Sequence, residues 1–560
     1  MRRRRPGHGH GRRAPLANRT TLRGSPHPDA DLEANLADWR RFRRQARTED
    51  VHWIDLLYQA YLTGIVGVVV VVVGSSMIGD NPLTATQLDQ VLSDGPAWIG
   101  VVAAMALAVG LRSGSQGGPL ALERAEVRHV LLAPVDRTAA LRAPAIRQLR
   151  FLAFVGMIAG AITGQIASHR FEGQVLAWVG TGALAGVTLV ALGAGTALVA
   201  SGTGCPRWGA TGLGVVLVGL AVADGLDRVP FSPTAPFGDL VLWPLEWSSL
   251  GIVVPVVGVG LVAVGVALLG RTTLEDAERR SRLVGQLRFA ATLQDLRTVI
   301  VLRRQLAMEL PRVRPWVSLR VRGNRRAPVF TRGLRGLLRW PAARLARLIL
   351  LALTAGLALR GAWAGTSPLV LLAGLALFVA GLDTTEALAQ EVDHPSRRDG
   401  SPLDAGSIHL RHVPIGLLGQ ALVAAVAMTV ATLPGGSQVP TDIAAIAAVP
   451  LALGAVAGAL VSVLSGPAST GGSWSFAPPE AQGMRLAFRS AWPPALAILG
   501  TLPVLFARWA TERDDPGVPA AVTGALAITL VFVVVCGWVR TRDDIGAFFQ
   551  QQMEQGNAQG

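Results

Sequence analysis

The sequence predicts an all-α, polytopic membrane protein of about 12 transmembrane helices, arranged as two parallel six-helix repeats. Three observations carry that reading: long apolar runs, a lopsided distribution of arginine, and a short internal echo at one offset. Of the 560 residues, 51% are hydrophobic and 16% are charged, and the mean hydropathy is +0.42. Soluble domains carry about 25% charged residues, so this balance excludes a soluble multidomain enzyme and a disordered chain. Cys205 and Cys536 are too few for a disulfide framework or a structural zinc site, and both read as packing residues.

Residues 1–30 are arginine-rich and lack an apolar h-region, which predicts a disordered cytosolic tail rather than a signal peptide. Over 31–55, Leu32, Leu36, Trp39 and Phe42 recur at helical spacing among Arg40, Arg41, Arg43, Arg44 and Arg47, the pattern of an interfacial amphipathic helix. A first six-span half follows at 56–269, with spans at 56–78, 97–111, 149–168, 174–200, 209–223 and 250–269 and a long cytosolic loop at 112–148. Residues 270–344 form a basic cytosolic connector. Its Leu283, Leu287, Leu293, Leu296, Ile300 and Leu306 follow a helical period, and its arginines from Arg312 to Arg339 suit anionic headgroups or an acidic protein face. The second half, 345–538, has spans at 345–359, 368–382, 414–433, 443–464, 494–506 and 520–538, a cytosolic loop at 383–413, and a cytosolic tail at 539–560.

Arginine placement tests this topology separately from hydropathy, because cytoplasmic loops retain positive charge. The chain contains no lysine, so all 52 basic residues are arginine, and with the N-terminus inside only Arg170, Arg228, Arg360, Arg508 and Arg513 fall outside. Both termini are then cytosolic, and the Ala/Gly/Val/Arg-rich composition points to a bacterial plasma membrane. The missing lysine excludes a Walker A phosphate loop and Schiff-base chemistry in this chain. His8 and His10 lie in the solvated tail, so no metal, cofactor or catalytic site is read. No nucleic-acid partner is read either, since no basic-aromatic module accompanies the charge.

The two halves echo one another. Glu126-Val127-Arg128-His129 returns as Glu391-Val392-Asp393-His394 after 265 residues, and Val199-Ala200-Ser201-Gly202 as Val463-Leu464-Ser465-Gly466 after 264. Each pair occupies one topological position, which predicts a duplication about an axis along the membrane normal.

The loop stretch Leu120 to Arg137, LALERAEVRHVLLAPVDR, placed between the second and third spans behind a basic amphipathic helix, resembles the coupling loop of ABC-2 type exporter permeases. The resemblance is closest to the large actinobacterial ABC exporter permeases. It implies a transport subunit that works with a separate ATPase chain and is not itself an enzyme. It also implies an ATPase-facing surface of Glu123, Glu126, Arg128, His129, Asp136 and Arg137, with Glu386, Glu391, Asp393 and His394 as the second-half counterparts. Two features depart from it: His394-Pro395-Ser396-Arg397-Arg398-Asp399-Gly400 stands where the first loop has a proline turn, and 509–519 is too short to match the outer segment at 225–249.

Polar residues within the spans are few. Tyr58, Gln59, Tyr61, Thr63, Thr163, Gln165 and Gln420 are read as cavity-lining or helix-bridging groups. Gly180-Thr181-Gly182 and Gly193-Ala194-Gly195 predict close helix approach, and Asp224 and Asp383 mark span ends. An ion-coupled secondary transporter would also suit two parallel repeats, but the spans lack interior carboxylates for a proton relay. An integral membrane transferase and a membrane scaffold complete the alternatives.

Overall fold

The computed structural model describes residues 84–118, 136–271, 313–317, 327–394, 402–434, 438–465 and 479–559, with Asp38, Leu120 and Ser396; side chains are described as far as Arg542, except those of 479–488. The expected tail at 1–30, the amphipathic segment apart from Asp38, the first span at 56–78 and most of the connector lie outside the described residues.

Every described element is helical. The first half comprises α1 (Ala85–Gly114), α2 (Arg137–Ala167), α3 (Val175–Gly202), α4 (Arg207–Gly225), the short α5 (Pro236–Val241) and α6 (Val253–Ala267). Next come α7 (Pro328–Leu337), α8 (Ala342–Trp363), α9 (Leu369–Thr384) and α10 (Glu386–Asp393). The second half closes with α11 (Ala405–Ala431), α12 (Thr441–Leu464), α13 (Pro479–Leu499), α14 (Leu502–Thr511) and α15 (Gly517–Gln559). Among the described residues, 9 helices are long and apolar enough to cross a bilayer, and 11 spans result if α9 with α10 and α13 with α14 each count as one bent span. The chain is a multi-pass helical membrane protein. Lipid-facing stripes such as Phe151, Phe154, Val155 and Ile158 on α2, and Leu526, Leu530, Val533 and Val534 on α15, stand exposed in the isolated chain and need an apolar solvent.

The eleven predicted spans from 97–111 onward each fall on a helix, with one correction. The stretch 494–506 is not one straight helix: the chain breaks at Gly500-Thr501 and turns by 51° into α14. Pro493 and Pro494 already remove backbone donors from α13, and Pro503 opens the next helix, so a continuous rod is not favoured here. α14 packs on α15, α12 and α8, whereas α5 of the first half packs mainly on α1.

Four helix pairings recur in both halves, while α12 also packs on α13 and α11 on α9, contacts with no comparable counterpart among the described residues of the first half. α3 packs on α1, α2 and α6, and α1 packs on α4; in the second half α12 packs on α9, α11 and α15, and α9 packs on α13. The central helices are α3 and α12: 50% and 72% of their most apolar stretches are buried, against 11% for α2. Backbone proximity is greatest where α2 meets α3. Gly156, Gly160 and Gly164 recur every four residues and face Gly182 and Gly186, and a Cβ on Gly160 or Gly186 would collide with the carbonyl of Gly182 or Gly156. Of the glycine-rich runs picked out from sequence, Gly182 and Gly195 sit in such contacts, whereas Gly180 faces open space.

The helices after the two long loops start alike. Asp136 accepts a hydrogen bond from the Ala139 amide (3.1 Å) to cap α2, and Asp404 accepts one from Ser407 (2.8 Å) to cap α11. The capping residues lie in Pro134-Val135-Asp136 and Pro402-Leu403-Asp404. A Pro-x-Asp sequence thus precedes the capped helix in both loops, lying beyond His394-to-Gly400 in the second. One of the two sequence echoes falls at matching helix ends, Val199 to Gly202 closing α3 and Val463 and Leu464 closing α12, while the first copy of the other lies outside the described residues.

Candidate functional site: a charge cluster at the arginine-rich end

At the end of the second half that carries most of its arginine, five helices bring their ionisable side chains together. Helix α7 is strongly amphipathic, with Phe330, Leu334 and Leu337 on its packed side and Arg332, Arg335 and Arg339 exposed. Pro328 starts it, and its C-terminus is tied by the Trp316 amide donating to Leu338 O (3.0 Å) and Trp316 Nε1 donating to Trp340 O (2.7 Å). Gly333 lets it settle on Ile415 of α11. From sequence, the arginines of this stretch are read as suited to anionic headgroups or an acidic protein face and no helix is assigned to it; the Phe330-Leu334-Leu337 period is the signal that marks one.

Helix α8 presents Arg344 and Arg347 on one face, three residues apart, and the α9/α10 bend presents Asp383 and Glu386 with the same spacing. The two spans run antiparallel, so the residues pair as a ladder. Arg347 donates to both oxygens of Asp383 at 2.7 and 2.8 Å, and Arg344 pairs with Glu386. Arg344 is 5% exposed and stacks over the Trp340 ring at 5.4 Å, which replaces part of its lost hydration. The third rung joins α7 to α10: Arg332 Nη2 donates to Glu391 Oε2 at 2.7 Å. His412 of α11 lies 3.9 Å from the same carboxylate oxygen, and His409 is buried one turn earlier. These two histidines, Arg344 and Arg347 are not selected from sequence, whereas Arg332 belongs to the arginines read as suited to anionic headgroups or an acidic protein face; a buried histidine pair leaves no periodic mark in an apolar run.

The bend has a local cause. Thr384 and Thr385 both donate their hydroxyls to Gly381 O, at 3.0 and 2.9 Å, so two side chains compete with the helix for one carbonyl. The helix axis turns by 57° there. Between α7, the start of α8, α10 and α11 lies a cavity of about 350 Å³, lined by Arg332, Gly336, Arg339, Trp340, Arg344 and Glu386 among others.

The expected ATPase-facing residues separate into groups. Glu123, Glu126, Arg128 and His129 lie outside the described residues. Asp136 caps α2 and Arg137 begins it, both exposed. Glu386 and Glu391 do not form an open solvated surface as expected: Glu391 is 6% exposed and both are held by arginines of the same chain. Asp393 and His394 are exposed at the end of α10.

The expected cavity-lining residues also divide. Tyr58, Gln59, Tyr61 and Thr63 lie outside the described residues. Thr163 is exposed and donates to Ala159 O in its own helix (2.9 Å), and Gln165 is half-buried nearby. Gln420 is fully buried, donating to Leu377 O (3.3 Å) and accepting from Thr384 (3.4 Å), so it bridges α9 and α11 rather than opening on a cavity. No protein-family model, no curated protein and no solved structure matches the chain.

Proposed function

We propose that this chain is the membrane-spanning permease subunit of an ATP-driven exporter of the ABC-2 type, in which a separate ATPase chain hydrolyses ATP. The observation that carries this reading is the bent helix α10, which emerges after the second span of its half and is linked by the Arg332–Glu391 and Arg344–Glu386 pairs to the amphipathic α7 and to α8, with the Arg347–Asp383 pair tying α8 to α9 just before the bend. A displacement imposed on α10 from the cytosol is thereby delivered to two spans and an interfacial helix at once. The arginine-rich end is cytosolic in this reading. The shared helix pairings, the two aspartate caps and the amphipathic helix ahead of α8 support a parallel duplication, with 12 spans once 56–78 is included. The membrane is the bacterial plasma membrane, and the arginines of the connector and of α7 face anionic headgroups.

The test is affinity purification of the tagged full chain in mild detergent, with mass spectrometry of what accompanies it. A stoichiometric Walker-containing ATPase is expected, and charge reversal at Glu123, Glu126 and Arg128 is expected to release it. Purification without any ATPase, under conditions that preserve a known transporter complex, overturns the proposal and favours ion-coupled transport.

A further inference from the structure

Two arginines, one from each half, converge on a single turn at the arginine-poor end. The turn is 361–367, between α8 and α9, and Gly365 sits in it with φ +122°. From within the second half, Arg508 of α14 donates through Nη1 to Ala362 O (2.6 Å) and Ser367 Oγ (2.8 Å), and through Nε and Nη2 to Glu512 (2.9 and 2.6 Å). From the first half, Arg170, in the turn after α2, places its Nη1 where any side chain on Gly365 would lie.

The two cations differ in one respect. The Arg508 donors are used, whereas Arg170 Nη1 is buried with no hydrogen-bond acceptor among the described residues. Burial, and secondarily the nearby Arg508 charge, lower the Arg170 pKa below the ordinary guanidinium range. Glu512 already faces Arg508 on two nitrogens. A half-buried guanidinium beside a second cation, without a carboxylate of its own among the described residues, is a costly arrangement unless an anion approaches its accessible edge. The turn lies at the ends of three membrane-crossing helices, the depth at which phospholipid phosphates are found.

We infer that the Arg170 guanidinium, held against the 361–367 turn beside Arg508, is a binding site for a phosphate group, either free or carried by a lipid headgroup. With Nη1 buried against Gly365, the other two guanidinium nitrogens form the planar edge that fits a phosphate in bidentate fashion, and the anion supplies a charge balance that the described residues do not. The inference needs no ATPase partner and stands apart from the exporter reading.

The experiment is thermal unfolding of the full chain in a phosphate-free maltoside detergent, titrated in separate arms with inorganic phosphate, dihexanoyl phosphatidic acid and dihexanoyl phosphatidylcholine. Phosphate or phosphatidic acid is expected to raise the unfolding temperature. A rise with phosphate assigns a free anion, a rise with phosphatidic acid alone assigns a headgroup, and phosphatidylcholine is expected to act weakly. Arg170→Gln is expected to weaken the effect about tenfold or more. Without ligand, R170Q is expected to unfold at or above the wild-type temperature, because it removes a cation from beside Arg508. Arg513→Gln, an exposed cation at the same end, serves as control and is expected to keep the full shift. No shift with either anion, a shift that survives R170Q, an equal loss in R513Q, or an unliganded R170Q less stable than wild type overturns the inference.

Discussion

Arg508 binds three acceptors from a 6% exposed position: a backbone carbonyl, a hydroxyl and a carboxylate. Arg508→Met leaves Ala362 O and Ser367 with weaker partners and is expected to cost about 3 kcal/mol. Glu512→Gln, at an acid whose side chain is 47% exposed, is expected to cost well under about 1 kcal/mol. Thermal unfolding of both variants checks the contrast. Two aspartates beyond the spans give opposite pH signs. Hydrogen bonds from Ser407 lower the Asp404 carboxyl pKa, so its capping contribution is full above the unfolded value and fades as pH falls through the folded one. Burial, then Glu246, raise the Asp239 pKa; its contribution is full below the unfolded value and is lost as pH rises through the folded one. Asp239→Asn is accordingly expected to stabilise the protein at neutral pH, with the gain vanishing in acid. At this scale the sequence was least legible. Asp383 could be placed at a span end, but its partner Arg347 lies 36 residues away and only the antiparallel packing of α8 on α9 joins them.

The closest helix contact is the glycine seam between α2 and α3. Gly160→Val must drive two backbones apart and is expected to cost about 3 kcal/mol, as overpacking of a close contact does; Gly180→Ala, facing open space, is expected to be neutral. A denaturation series comparing the two variants decides whether the seam holds the first half together. The ladder between α8 and α9 allows a second test. Arg347→Leu strands a carboxylate and is expected to cost about 3 kcal/mol, whereas R347L with Asp383→Leu is expected to recover most of that loss. Element positions were largely legible because an apolar run of twenty residues has one outcome in lipid. The failures have physical reasons. α7 is hidden because Arg and Gly mask its short apolar stripe, and the α13/α14 break lies inside a run that is apolar on average, although Gly500-Thr501 and its prolines cannot sustain one helix.

Across the whole molecule, the contact between Arg170 and Gly365 requires the end of α2 and the end of α8 to lie on one side of the membrane, as two halves of the same orientation demand. In a Cys205→Ser, Cys536→Ser background, E172C, D227C and R513C are expected to react with an impermeant maleimide from outside intact cells, and R207C and D393C only after permeabilisation. Labelling of both groups from one side rejects the parallel arrangement. The proposed duplication rests in sequence on two four-residue echoes; the paired aspartate caps of α2 and α11, a further correspondence, are shifted by a few residues and emerge only when the helices they start are known. The 57° bend between α9 and α10 adds mechanical leverage. An eight-residue helix is about 12 Å long, so a swing of about 10° about Thr384-Thr385 carries its tip by about 2 Å. Glu391 sits near that tip, and such a swing is comparable to the length of its contact with Arg332; a small rotation at the hinge is therefore enough to turn a closed circuit of charge into an open one.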